Sequence, residues 1–142
     1  KEVNQTAKIA SKDTDISVNA VVMEDDLDSW NLNVTQETPV VTAFSDAGPR
    51  RVAGNYDWGL DISGAADFGS GESDATLFAL LGSAGVTLDL EPTGATAAAN
   101  DPNYDSASGL MLGSYKISGA IGGAVQYACS MVGAAALTRA VA

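Results

Sequence analysis

The chain contains no histidine and a single cysteine, Cys129, in 142 residues. Without histidine it lacks the commonest general base and transition-metal ligand, which excludes Ser-His-Asp and Cys-His machinery. One thiol cannot close an internal disulfide, so nothing points to a secreted, cross-linked scaffold. Basic residues are scarce as well: 7 Lys and Arg stand against 18 Asp and Glu, a formal net charge of −11. A surface that grips nucleic acid needs clustered cations against phosphates and is excluded on this count. A surface that lies beside DNA and repels it is not.

Other signatures are absent too. There is no GxSxG, no P-loop pattern and no GxGxxG opening a helix. Carboxylates are plentiful enough for a glycosidase-like pair, but nothing in their spacing singles out two of them. The expectation is a protein that is not an enzyme and uses no cofactor or metal. The first residues, KEVNQTAKIASKDTD, contain no apolar h-region. Residues 117–138 run for 22 positions without a charge, and Gly119 and Gly123 form a GxxxG. Within that run, however, Val125, Tyr127, Cys129 and Met131 alternate with Ala124, Gln126, Ala128 and Ser130, a strand pattern rather than a membrane helix.

What the chain does have is apolar content of 46% with 18% charged residues, the balance of one folded domain spanning 1–142. Its most informative stretch is YDWGLDISGAADF, residues 56–68. Every second residue falls into one of two sets. Tyr56, Trp58, Leu60, Ile62, Ala66 and Phe68 face one way, with Gly64; Asp57, Asp61, Ser63 and Asp67 face the other, with Gly59 and Ala65. Alternation of this kind predicts a strand with one apolar and one acidic face, about 40 Å long at the usual rise. A helix would leave these apolar residues in no stripe.

Along the rest of the chain, TAKIA (6–10) reads as a short first strand behind a polar N-terminal arm (1–12). DISVNAVV (15–22) reads as one strand and MEDDLD (23–28) as an acidic connection, solvated or holding a hard cation. SWNLNVTQ (29–36) alternates, and VVTAF (40–44) is β-prone. SDAGPRRVAGN (45–55) is a long loop holding the adjacent pair Arg50 and Arg51, suited either to solvent or to docking on an acidic patch, including one on another copy.

GSGESDATLFALLGS (69–83) is the convincing helix, with Ser73 as N-cap, Leu77, Leu80 and Leu81 as its stripe, and Gly82 as its stop. GVTLDLE (85–91) returns to strand. PTGATAAANDPNYDSASG (92–109) reads as a second long loop. Its DPNYDSASG starts like a calcium loop but lacks the sixth-position glycine and the distal Glu. LMLGSYKISGAI (110–121), a turn at Gly122-Gly123, AVQYACSM (124–131) and AAALTRAV (134–141) complete the pattern. The expected fold is mainly β: two packed antiparallel sheets, a sandwich or barrel, with one flanking α-helix.

The order of parts resembles the major tail proteins, or tail tube proteins, of long flexible-tailed bacteriophages and related tail-like particles. The resemblance rests on NLNVTQ through VVTAF, on SDAGPRRVAGNYDW, GLDISGAADF and ESDATLFALLG, and on the closing YKISGAIGGAVQYACSMVGAAALTRA. It implies a structural protein of the virion, made in the host cytoplasm. Six copies would close into a ring, and rings would stack into a tube with an electronegative channel for the genome. The resemblance makes residues 43–55 the inter-subunit loop, with Asp46, Pro49, Arg50 and Arg51 as its contacts. It makes Asp57, Asp61 and Asp67 the candidate lumen-facing acids. The implied partners are further copies of the chain and the tape measure, terminator and distal tail proteins, with DNA passing through unbound. The competing reading is a stand-alone β-sandwich carbohydrate- or ligand-binding module, for which Tyr104 would be the exposed loop aromatic.

Overall fold

The computed structural model describes residues 14–23, 26–83, 85–94, 97 and 101–141. The TAKIA strand, the arm 1–12, and Glu24 and Asp25 of the acidic connection lie outside these residues. The described elements are β1 (Asp15–Val18), β2 (Val21–Val22), β3 (Ser29–Gln36), β4 (Tyr56–Ala65), α1 (Ser73–Phe78), β5 (Val86–Glu91), β6 (Asn103–Ser118), β7 (Gln126–Gly133) and β8 (Thr138–Ala140). Hydrogen bonding runs in the order β2-β1-β5-β6-β7-β4-β3, with β8 also on β6, and every pairing is antiparallel.

The protein is thus mainly β, antiparallel, with one flanking helix, as the sequence predicts. The two expected sheets are two halves of one hydrogen-bonded sheet joined through β6. The first part of β6 pairs with β5 and β8, and the part from Leu110 to Ser118 pairs with β7. Both halves feed one buried cluster. Ile16 and Val18 (β1) and Leu88 and Leu90 (β5) meet Leu60 and Ile62 (β4) and Tyr127, Cys129 and Met131 (β7), with Leu77 from the helix.

Alternation holds along β4, where Trp58, Leu60, Ile62 and Gly64 are buried and Asp57 and Asp61 exposed. The strand ends at Ala65, three residues short of the predicted end, and Phe68 is 60% exposed in the loop beyond it. Two glycines allow close packing here. A Cβ at Gly64 would collide with the backbone carbonyl of Asp26, and one at Gly133 with the indole of Trp58. That indole donates its Nε1–H to the carbonyl of Ala135 at 2.8 Å, tying β4 to the chain after β7.

Several local expectations are corrected. DISVNAVV is a tight hairpin, not one strand: Asn19 (φ 53) and Ala20 (φ 64) turn the chain, and Val18 pairs with Val21. Positive φ at both central positions makes a turn whose twist matches the flanking strands, normally carried by Asn-Gly; Ala20 hides it from a sequence reading. Glu72, not Ser73, is the N-cap; Ser73 is the first helical residue, fully buried, and its hydroxyl accepts the Asp67 N–H at 3.0 Å. The regular helix stops at Phe78, so Leu81 is 56% exposed while Leu80 is buried.

The second long loop is shorter than expected, because NYDSASG is the start of β6, the longest strand at 16 residues. That removes the calcium-loop reading of DPNYDSASG. It also moves Tyr104 off any loop tip: it pairs with Leu90 and packs against the core. VVTAF contributes only the single bridge Val40 to Arg51. The β6–β7 connection is wider than a Gly122-Gly123 turn, running from 119 to 125 with Ile121 fully exposed.

Candidate functional site

The candidate sites are surfaces. The first is an arm. The β3–β4 register ends at Gln36 opposite Tyr56, but backbone bonds continue past it. Glu37 N–H reaches Asn55 O (2.8 Å), Gly54 N–H reaches Glu37 O (2.7 Å), Val52 N–H reaches Pro39 O (3.1 Å) and Val41 N–H reaches Arg50 O (2.8 Å). The expected loop 43–55 is therefore the tip and returning side of a two-stranded arm spanning 37–55.

Its tip is closed by its own side chains. The Asp46 carboxylate accepts the Ala43 N–H at 2.7 Å, and Thr42 Oγ1 accepts the Arg50 N–H at 3.0 Å. Arg50 lies 3.7 Å from Asp46 with its side chain 64% exposed, against 16% for Asp46. Asp46 thus shapes the tip, whereas Arg50 and Arg51 are presented to solvent, as is Pro49. Val40, Val41 and Val52 are about half exposed and Phe44 wholly so. An isolated two-stranded ribbon with apolar side chains in water is marginal by itself, and this one has the composition of a contact surface.

The second surface is the outer face of β3, β4, β7 and the distal part of β6. Register places Asn31, Asp61, Ser130 and Ser114 in one row across the four strands. Ser29, Ser63, Ala128 and Lys116 form the next row, with Thr35 and Asp57 further along β3 and β4. Most side chains here are small and polar, with Val132, half exposed, and Met111 in the row of Asn33 and Gly59 as the apolar exceptions. Asp57 and Asp61 stand on this face, as predicted from alternation. Asp67 does not: it lies beyond the end of β4, in the loop before α1. Lys116 adds a cation that the sequence reading did not assign to this face.

The densest carboxylates lie elsewhere. On the outer face of β1, β5 and β6, Ser17, Asp89, Asp105 and Thr138 form a row, and Asp15 pairs with Glu91 beside it. Asp89 and Asp105 are directly opposed, an unfavourable cross-strand pair when both are charged. Burial, together with the Asp89 carboxyl and the Glu91 charge, pushes Asp105 up to about 6. Asp89 Oδ1, Asp105 Oδ1 and Asn103 Oδ1 are inaccessible and unpartnered, a setting that favours the protonated form of Asp105.

A third acidic group joins distant parts of the chain. Asp26, Asp67 and Glu72 bring carboxylate oxygens within 4.8 Å of one another. Asp26 Oδ2 accepts the Ser73 N–H at 3.1 Å and Asp67 Oδ1 the Gly69 N–H at 2.8 Å, so two of the three clasp the loop before α1. Asp74 accepts a 2.8 Å hydrogen bond from Tyr115 OH, fastening α1 to β6. Sequence spacing gave no signal for this triad, since Asp26 is 41 positions from Asp67. Cys129 is buried against the core, which, with the Asp61 charge, pushes its thiol up to about 12 and leaves it unreactive.

No family model matches the sequence, and no curated protein matches it. Solved structures do. The chain is similar to one in the virion of a native gene transfer agent particle, at 17% identity and a TM-score of 0.73, over 93% of this chain and 98% of that one. It is similar to one in the tail of an empty gene transfer agent particle, computed with helical refinement and C6 symmetry, at 15% identity and a TM-score of 0.72, over 92% and 98%. The SPP1 tail tube protein matches at 10% identity and a TM-score of 0.69, over 95% and 80%. At such identities the likeness is one of fold, and it extends over nearly the whole chain.

Proposed function

We propose that the chain is a structural subunit of a tail tube, whose copies close into hexameric rings that stack around a channel for DNA. The observation that carries this reading is the fold-level match, over more than nine-tenths of this chain, to chains from a C6 tail and a tail tube. Strand order supports it. β3 ends the described sheet with an open edge of eight residues, and joining the next copy's sheet around a ring would cover that edge.

In this reading the outer face of β3, β4, β7 and distal β6 lines the channel. Small side chains leave it smooth. Asp57 and Asp61, repeated around the ring against Lys116, keep phosphates from settling on the wall. The arm 37–55 reaches another subunit, with Arg50 and Arg51 as its charged contacts. The protein is then a virion component rather than an enzyme, and tape measure, terminator and distal tail proteins are its other partners. Among the described residues no helix is long and apolar enough to cross a membrane. Negative-stain microscopy of the purified protein tests the proposal: hexameric rings or tubes are expected, and a strict monomer at high concentration would overturn it.

A further inference from the structure

Four observations, taken together, identify what the arm docks on. The first is an unpartnered apolar face. Across α1 and the turns after it, Ala75, Phe78, Ala79 and Leu81 are exposed, and Phe68 is exposed in the loop before the helix. The second is charge beside that face. Asp26, Asp67 and Glu72 crowd together, and no described Lys or Arg is ion-paired with any of them. Three carboxylates so close repel one another, and an incoming cation would relieve that cost.

The third is the arm itself. Of the four basic residues described (Arg50, Arg51, Lys116 and Arg139), two sit at its tip, next to exposed Phe44, Val40, Val41 and Val52. The other projecting apolar segment, 119–125 with Ile121, carries no charge and offers the triad nothing. The fourth is placement. The arm leaves one end of β4, at Tyr56, while the loop to the triad and α1 leaves the other end, at Ala65. Nine strand steps separate those ends by about 30 Å, so an arm pointing away along the β3–β4 direction does not turn back onto its own α1.

We infer that the arm of one copy seats on the face formed by residues 67–81 and Asp26 of a second copy. Phe44 and the arm valines cover Phe68, Phe78 and Leu81, and Arg50 and Arg51 approach the carboxylate triad. The inference rests on the tube-subunit reading and goes further by naming the receiving surface. Donor and receiver lie at opposite ends of one strand, so the contact is head to tail. It propagates along the strand direction instead of closing a two-fold dimer.

Cross-linking tests the placement against a silent background, because Cys129 is buried. A full-length Phe44→Cys, Phe78→Cys variant, allowed to assemble and then oxidised, is expected to give a ladder of covalent multimers on a non-reducing gel. Either cysteine alone should give no species above a dimer. A charge exchange provides a second readout should the cysteines themselves block assembly. Arg50→Glu with Arg51→Glu should abolish pelletable tubes. Adding Asp67→Asn with Glu72→Lys to the same chain should restore them, the asparagine still accepting the Gly69 N–H. Visible tubes without a ladder, or loss of tubes that the exchange fails to restore, would overturn the docking surface and leave the tube reading standing. Absence of tubes from the unmodified protein would overturn the tube reading itself.

Discussion

The two halves of the sheet share one inner face and differ on the outer one. On β3, β4, β7 and distal β6 the outward side chains are mostly Ser, Asn, Thr and Ala, with Asp57, Asp61 and Lys116 the charges in the register rows. On β1, β5 and proximal β6, Asp15, Asp89, Glu91 and Asp105 crowd together, and burial, with the neighbouring carboxyls adding to it, raises Asp105. Density of negative charge and suitability as a channel wall are therefore separate properties. A wall along which a polyanion slides needs few features that catch phosphate and bases, and only a modest repulsive bias. The four-strand face has that character, while the acidic face of the other half has the density of a local cluster.

Charge reversal tests this difference most severely. Asp57→Lys with Asp61→Lys turns the four-strand face from two anions and one cation to three cations per copy. Tubes should still form, since both side chains are exposed, but DNA delivery by the assembled particles should fall by roughly tenfold or more as lysines pair with phosphates. The same exchange at Asp15 and Glu91 should leave delivery near normal. Equal loss from both pairs, or from neither, would break the assignment of the channel to one half.

The shared core makes the next largest prediction. Leu60 and Leu88 belong to different halves, and both are fully buried in the one cluster. Replacing either by Ala should cost about 2–5 kcal/mol. Each variant should unfold in a single transition by calorimetry, because the halves are not separate cooperative units. Two resolved transitions would show that β6 joins two domains rather than running through one.

How far the sequence revealed each region follows from local physics. The period-2 pattern marked β4 and β5 because their core residues are large and their outward residues polar: Trp58, Leu60 and Ile62 against Asp57 and Asp61, and Leu88 and Leu90 against Asp89 and Glu91. The start of β6 was hidden. Asn103, Asp105, Ser106 and Gly109 carry turn chemistry, and they are strand only because β5 and β8 flank them. The Asn19–Ala20 hairpin was hidden for the opposite reason, since Ala20 gives no turn signal. In the candidate site, Asp57, Asp61, Arg50 and Arg51 could be read from alternation and from an adjacent basic pair. Lys116 on the same face as Asp61, and Asp67 in a triad with Asp26, depend on pairing and loop closure between distant residues.

The smallest prediction concerns the crowded acidic half alone. Asp105 titrates near 6 in the folded protein, above its ordinary value of 3.8. Between those values the folded state holds a proton that the unfolded chain has released, so this group destabilises the fold as pH rises through that window. Acidification from pH 7 toward 5 should therefore raise the melting temperature through this group, against the usual trend for carboxylates in ion pairs. Asp105→Asn removes both the repulsion from Asp89 and the titration. It should raise the melting temperature at pH 7 by a few degrees and flatten its pH dependence between about 4 and 6. The equivalent change on the other half, Asp61→Asn, faces no opposed carboxylate, since its register partners are Asn31 and Ser130. It should raise the melting temperature at pH 7 far less. An equal rise from both would mean that the two faces do not differ in the way their registers indicate.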